Sequence, residues 1–358
     1  MWTLPFWRRA WRVGRGSLII VAALAVLPLL PFFDRPYVLT WLVYALWFAA
    51  ATVGFDLSAG WINIVNLGYA AFIGTGAYVA ALVSIHANLP PLLCLPTGAA
   101  TGALLGLALG GVVLRFRGIY AALASWFLSL ALAGVTSNLT SVTRGNIGLS
   151  TNVLYVTSSN QPYFYTALII LVLIIAVIVL LVSSRLGLAF RAVGTNLEAA
   201  RASGVVPARL RLLNFTISCG CGGLAGAFYA GYFGVLTPSI MKIGLTVQLL
   251  VAAMIGGSGS ITGALAGGLL VALLYQALQG TLQNLPGLGD FVFGLVLIAI
   301  VVLYPGGLAR AASELRRAAG HLRRRMSRKV TPGQVLERGI RGERMSEVEE
   351  ASRFRGAN

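Results

Sequence analysis

The sequence predicts an all-α polytopic membrane protein of about ten transmembrane helices, some of them short or broken, with both termini in the cytoplasm. Three observations carry that expectation. The 358 residues are 58% hydrophobic and only 10% charged, whereas a soluble domain carries about 25% charged residues; mean hydropathy is +0.84. Apolar runs of roughly 18 residues or more recur along the chain, each long enough to cross a ~30 Å hydrocarbon core. The basic residues fall in the gaps between those runs, in the alternating pattern that orients membrane helices. The alternating segments of about ten residues that mark a membrane β-barrel are absent.

The first apolar segment, 17–33, follows Arg8, Arg9, Arg12 and Arg15. Asp34, Arg35 and Pro36 come next rather than a small-residue cleavage site, so the segment reads as a retained first span behind a basic N-terminus at 1–16. Further segments fall at 37–57, 61–83, 92–114, 119–139 and 163–183, and then at 212–236, 245–256, 261–281 and 290–305. The segment at 61–83 contains several glycines and the one at 245–256 is short. Such spans often mark broken helices around a transport path. With the N-terminus inside, six crossings before the polar stretch 184–211 and four after it leave only Arg35, Arg144 and Lys242 outside. The other 24 of the 27 basic residues fall inside, 13 of them in a tail after Leu308. The connection 140–162 is external and rich in Ser, Thr and Asn.

The formal net charge of +17 does not point to nucleic acid, because the basic residues sit in short connections and in the tail at 306–358. That distribution suits membrane orientation and anionic lipid headgroups. The opening of the tail has the composition expected of an interfacial amphipathic helix; from about Val330 it is charged, poor in aromatics and expected to be partly disordered. Cys94, Cys219 and Cys221 all lie in apolar runs and read as small packing residues, with no disulfide framework or metal spacing. His86 and His321 have no paired carboxylate beside them, and no nucleophile elbow appears, so nothing supports an enzyme.

One stretch stands apart from the apolar body: GTNLEAARASGVVPARLR, residues 194–211. Thr195-x-x-Glu198 has the spacing of a capping box, in which the Thr hydroxyl accepts from the N3 amide and Glu198 reaches back to the cap amide. Glu198 also stands where the helix dipole favours an anion. Gly204 suits the C′ position and Pro207 follows closely. A cytoplasmic helix of about two turns, roughly Asn196 to Ser203, is the expectation. A helix that short is not stable alone, so it must dock on its own protein or on another subunit.

Glu198-Ala199-Ala200 followed by Gly204 resembles the EAA loop of ABC importer permeases. The resemblance implies that Thr195, Glu198, Ala199, Ala200 and Gly204 form a coupling helix seated in a groove of an ATPase subunit. Other stretches narrow it. GWINIVNLGYAAFIGTGAYVAALV (60–83), RGNIGL (144–149), LRLLNFTISCGCGGLAGAFYAG (210–231), LVAAMIGGSGSITGALAGGLLVALL (250–274) and YPGGL (304–308) are similar, in order, to segments of LivM-type permeases of branched-chain amino-acid importers. The resemblance spans about residues 54–308. It implies a bacterial inner-membrane translocator with four kinds of partner: a second LivH-like permease, two ATP-binding cassette subunits, an external substrate-binding protein and membrane lipids. ATP and Mg would be held by the partner ATPases and no cofactor by this chain. The sequence agrees on that point, having no G-x-x-x-x-G-K-[ST] stretch and no lysines besides Lys242 and Lys329.

The resemblance implies branched-chain or related amino acids as cargo, with urea, short amides or small carboxylates as the alternative; a self-sufficient secondary transporter or channel is the rival class. That rival would need coupling-ion charges within the bilayer, and the spans hold few: Asp56 and Asp290 both fall near span ends. Gly68, Gly74, Gly76, Gly222, Gly223 and Gly226 suit close packing of helices. Gly256, Gly257 and Gly259 in the IGGSGS stretch are the candidates for a hinge or broken helix. Asn63, Asn66 and Tyr69 would share one face of the third span, where they could line a polar passage or hydrogen-bond between helices.

Overall fold

The computed structural model describes residues 6–26, 36–116, 118–157, 159–282 and 287–303. The basic tail over 306–358, the YPGGL end, Arg117, the first five residues and the far end of the first predicted span lie outside the described residues.

Every predicted apolar segment has a helix among the described residues. The first half holds α1 (Phe6–Val26), α2 (Pro36–Ala59), α3 (Tyr69–Ala87), α4 (Pro91–Val113), α5 (Ile119–Asn138), the single turn α6 (Thr140–Thr143) and α7 (Gln161–Ser183). The polar stretch forms α8 (Arg185–Thr195) and α9 (Leu197–Ala202). After it come α10 (Pro207–Phe233), α11 (Ile243–Gly256), α12 (Ile261–Thr281) and α13 (Leu288–Leu303). Seven of these, α2, α3, α4, α5, α7, α10 and α12, are long and apolar enough to cross a bilayer. The apolar part of α1 (Gly16–Val26), α11 and α13 are shorter. The molecule is a nearly all-helical, multi-span membrane protein.

Boundaries moved where local chemistry outweighed hydropathy. α1 begins at Phe6 and runs through the arginines, which are good helix formers. α10 starts early because Pro207 takes the N1 position, and it stops at Gly234, whose φ of +73° gives a left-handed cap. The largest correction concerns the third span. Residues 61–68 are not helical, and α3 begins only at Tyr69. Asn63 has a φ of +58°, a value outside the helical region. The Asn66 Oδ1 accepts from the Gly68 amide at 3.1 Å, a local side-chain bond that competes with helix. Asn63, Asn66 and Tyr69 therefore do not share a helix face.

α2 is the hub: it packs against α7, α10, α11 and α12, while α10 lies along α3 and α4. Between membrane helices, packing and hydrogen bonds must replace the hydrophobic drive. Both are visible. On α4, Gly98, Gly102, Gly106 and Gly110 recur every fourth residue and are all buried, facing α10. A methyl group at Gly98 would lie 2.7 Å from the Gly223 carbonyl oxygen, so the two backbones meet with no room for a side chain. Across α2 and α10, Trp47 Nε1 donates to the Ala225 carbonyl at 2.8 Å, Ser218 Oγ to Gly54 at 2.7 Å and Asn214 Nδ2 to Leu57 at 3.0 Å.

Far from α8 and α9 along α10, the connection after α5 is tied down by a short antiparallel ribbon. β1 (Leu149–Ser150), which closes the RGNIGL stretch, pairs with β2 (Val235–Leu236) just past the end of α10.

Candidate functional site: the segment between α7 and α10

The polar stretch folds as two helices rather than one. Ser184 ends α7 and caps α8, its hydroxyl accepting from the Leu186 amide at 3.1 Å. α8 is amphipathic: Gly187, Phe190 and Val193 are buried, spaced by three along one face. Phe190 and Val193 join Ile62, Ile64, Phe72, Ala200 and Phe215 in a small apolar cluster of their own, and that cluster anchors the segment to the bundle.

The cap of α9 differs from the expectation. Thr195 is the last residue of α8, and its hydroxyl donates to the Arg191 carbonyl at 2.8 Å. Asn196 does the capping: its Oδ1 accepts from both the Glu198 and Ala199 amides at 3.0 Å. Two good cap residues stand side by side. The Phe190 and Val193 anchor carries α8 through Thr195, which leaves Asn196 as the first residue with extended φ and ψ. Glu198 keeps its place in the first turn. At the other end Gly204 has a φ of +80°. Its amide bonds Arg201 at 3.0 Å and the Val205 amide reaches back to Ala200 at 3.2 Å, the pair of bonds that defines a Schellman close.

Of α9 only Ala200 is buried. Glu198, Ala199, Arg201, Ala202, Ser203 and Gly204 are all exposed. The helix thus presents a small outward face with one anionic and one cationic side chain, Glu198 and Arg201, and the methyl groups of Ala199 and Ala202. That face can pair with complementary charges and permits close approach.

Behind α9, contacts run into the bundle. The Arg191 guanidinium lies 4.3 Å from the Trp61 ring centroid, within cation–π range. Gly194 abuts the backbone of Trp61 and Ile62, where an added methyl would come 2.6 Å from the Trp61 carbonyl oxygen. Trp61, Ile62 and Ile64 are buried, each at 5% exposure or less, so the 61–68 segment is pinned under α8. One residue earlier, Gly60 lies against Gly259 and Asp56. Asp56 is 1% exposed, and both its carboxylate oxygens accept from the Gly259 amide at 3.1 Å. Gly257 and Gly259, with φ of +103° and +76°, form the turn between the end of α11 at Gly256 and the start of α12. A continuous set of contacts thus joins α8, the 61–68 segment, the end of α2 and the α11–α12 turn.

Sequence reading did not single out Arg191, Trp61 or Gly60, and of Asp56 it said only that the residue falls near a span end. The available signal was the Phe190–Val193 spacing, which announces a second amphipathic helix. Asn66 and Tyr69 hold helices together: Asn66 Nδ2 donates to the Cys219 sulfur at 3.7 Å and the Tyr69 hydroxyl to the Ser218 carbonyl at 3.0 Å. Asn63 is exposed. Among the described residues no three His, Cys, Asp or Glu side chains gather where a metal could be held.

A multi-span helical body with a short, capped, outward-facing helix set between two of its spans defines a transport subunit of the permease kind. The chain belongs to the family described as branched-chain amino acid transport system / permease component, whose profile matches residues 37–301, and it is a multi-pass inner-membrane protein. It is 25% identical over 284 residues to the high-affinity branched-chain amino acid transport system permease protein LivM of Salmonella typhimurium, a match covering 72% of this chain and 66% of that protein's length. It is 29% identical over 295 residues to the autoinducer 2 import system permease protein LsrC of Yersinia enterocolitica, covering 80% of this chain and 72% of the relative. It is 23% identical over 285 residues to a probable branched-chain amino acid transport permease protein LivH of Methanocaldococcus jannaschii, covering 75% and 90%. No solved structure gives a significant match.

Proposed function

We propose that this chain is the membrane-spanning subunit of an ATP-driven importer, crossing the membrane ten times with both termini in the cytoplasm. It pairs with a second, LivH-like permease, sits on two ATP-binding cassette subunits and receives its solute from an external binding protein. The observation that carries the reading is α9: a two-turn helix, capped at both ends, buried only at Ala200 and offering Glu198 and Arg201 outward. In this reading ATP binding closes the ATPase pair against α9, and α8 carries the displacement inward. The Arg191–Trp61 and Gly194–Ile62 contacts take it to the 61–68 segment. From there Gly60 and Asp56 pass it to the Gly257–Gly259 turn, which serves as the hinge between α11 and α12. Branched-chain or related amino acids are the cargo that the family description and the LivM-like relatives support.

A second reading keeps the machine and changes the cargo to urea, short amides or small carboxylates. The scarcity of charge within the spans favours its uncharged members.

The test is uptake by the assembled transporter. Glu198→Arg inverts the charge on the outward face, and Gly204→Val puts a β-branched residue where φ is +80°, which such residues strongly disfavour. Each variant is expected to insert and assemble normally yet to lower uptake per ATP hydrolysed by roughly 5-fold or more, the scale of coupling energies of about 1–3 kcal/mol. Unchanged uptake by both would remove the coupling role.

A further inference from the structure

After β2 the chain turns back into the body before α11 begins. The short turn Pro238–Met241 sits against α3, where a methyl added at Gly74 would run into the side chains of Met241 and Ile240. On its other side it meets α5: the Met241 carbonyl accepts from Ser129 Oγ at 2.9 Å and the Met241 sulfur from Thr136 Oγ1 at 3.7 Å. Ser129 is midway along α5, a helix long and apolar enough to cross a membrane. α11 starts at this level. Its 14 residues reach only about 21 Å at 1.5 Å per residue, short of the ~30 Å core, and its far end leads into the Gly257–Gly259 turn beside Gly60 and Asp56. α11 is therefore a half-span with its N-terminus near mid-depth, and Lys242, the residue before it, stands there too. The alternation of basic residues assigns Lys242 to an external connection. The fold carries it inward because the stretch ahead of it dips between α3 and α5.

Lys242 is exposed on the chain. Of the described carboxylates, Asp56 is held by Gly259, Asp290 by Gln279, and Glu198 stands on α9, so none pairs with it. A lysine left against lipid at this depth is heavily penalised; such residues face an interior or a water-filled passage and mark solute paths.

The surroundings offer further donors. No side chain caps α11, and its first turn is bare: Gly244 is exposed and has open space where a methyl would go. Tyr78 lies one turn beyond Gly74 on the face of α3 turned to Met241. It is 4% exposed, and its hydroxyl has no hydrogen-bond partner among the described residues. On α5, one turn before Ser129, the buried Trp126 Nε1 is likewise without a partner. An ammonium and an indole N–H can only donate, and a helix N-terminus favours an anion. The group that this neighbourhood lacks is an acceptor carrying negative charge.

We propose that Lys242 and the first turn of α11 form a carboxylate-binding site on the solute route, taking the carboxylate of an amino acid or another small carboxylic acid near mid-bilayer. The proposal rests on the reading of the chain as a transport subunit and deepens it by naming the group of the cargo that this chain recognises. Half-helix N-termini at this depth suit anionic solute groups, and the ammonium adds a charge-assisted hydrogen bond. Urea and simple amides would gain nothing from Lys242. Affinity is weak, because a site along a route must release what it binds.

The experiment uses the full chain in lipid nanodiscs and saturation-transfer NMR. The probes are leucine and isovalerate, which carry a carboxylate, and leucinamide and isovaleramide, which do not. Saturable millimolar binding by at least one carboxylate is expected. It should weaken about 10-fold in Lys242→Gln, persist in Lys242→Arg, and weaken in Gly244→Leu, which covers the first turn and leaves the ammonium in place. The amides should bind the parent no better than the carboxylates bind Lys242→Gln. A melting temperature matching the parent shows that a variant is folded, and the two weakening variants are independent of each other. In a separate readout, Lys242→Cys should react with a water-soluble anionic methanethiosulfonate, the native Cys94, Cys219 and Cys221 being buried. No binding by either carboxylate, carboxylate binding unchanged in Lys242→Gln, amides binding as well as carboxylates, or a thiol at 242 that the reagent never reaches would each overturn the proposal. The transport reading fails separately: uptake that ignores Glu198→Arg sinks it whatever binds at Lys242, and uptake lost in Glu198→Arg with carboxylate binding indifferent to Lys242→Gln sinks the site alone.

Discussion

At the residue scale, the outward helix depends on one amide side chain. Asn196 satisfies two of the amides that α9 would otherwise leave unpaired, and helix termini are where such orphan groups are costly. Asn196→Ala should therefore cost about 1 kcal/mol of α9 stability, seen as roughly 5-fold faster amide exchange at Glu198 and Ala199. Thr195→Ala removes only a bond from Thr195 to the Arg191 carbonyl within α8 and should leave those amides unchanged. If Thr195→Ala gave the larger effect, the cap would lie one residue earlier than described. The same pair shows how far single residues were legible. The helix, its acidic first turn and the Gly204 close could all be read from spacing. The cap was misplaced by one residue because Thr195 and Asn196 both suit it and the choice depends on α8, whose anchor is tertiary. Asp56 was harder still: its partner Gly259 is 203 residues away, and no local pattern announces a backbone amide as the ligand of a buried carboxylate.

At the scale of elements, hydropathy located every apolar helix but could not see where packing or turn chemistry would cut one. The 61–83 segment is uniformly apolar enough to read as a single span. It is broken at 61–68 because Trp61, Ile62 and Ile64 bury themselves under α8 and Asn66 bonds the backbone locally. The α4–α10 contact shows the opposite case, a helix pair whose closeness is written in its glycines. Gly102→Leu should disrupt the bundle, since any side chain there meets the Cys219 carbonyl and overpacking of a tight contact costs about 1–3 kcal/mol. Gly111, on the same helix, has open space where a methyl would go, and Gly111→Ala should leave the protein as stable or gain up to about 1 kcal/mol. Thermal unfolding of the purified chain distinguishes the two. Equal melting temperatures for both variants would mean that α4 does not lie against α10 as described.

At the scale of the whole molecule, charge and cavity divide the chain into two ends. At one end Arg185, Arg191, Arg201, Arg209 and Arg211 gather in the stretch 184–211, where α8 and α9 make the surface that we propose is offered to a driving partner. The opposite end gathers aromatic rings, hydroxyls and amides around a hollow, with Asp290 bonded to its lining residue Gln279. Between them stands α2, whose length spans the body and whose Thr40, Tyr44 and Trp47 touch the cavity while Asp56 grips the α11–α12 turn. One helix thus reaches both the hollow and the contacts that run to α8, which makes it the route by which the proposed drive at α9 would reach the cavity.

The measurement that tests this account most directly is the sidedness and partner of α9. Ala199 is exposed, and the native Cys94, Cys219 and Cys221 are all buried, so Ala199→Cys supplies a single reactive thiol in the otherwise native chain. In membranes holding the assembled transporter, a bifunctional thiol reagent is expected to join that residue to an ATP-binding subunit from the cytoplasmic face, with a yield that changes when ATP is added. Reaction only with an impermeant reagent supplied from outside, or free labelling from the cytoplasm with no ATP-binding subunit ever captured, would contradict the account.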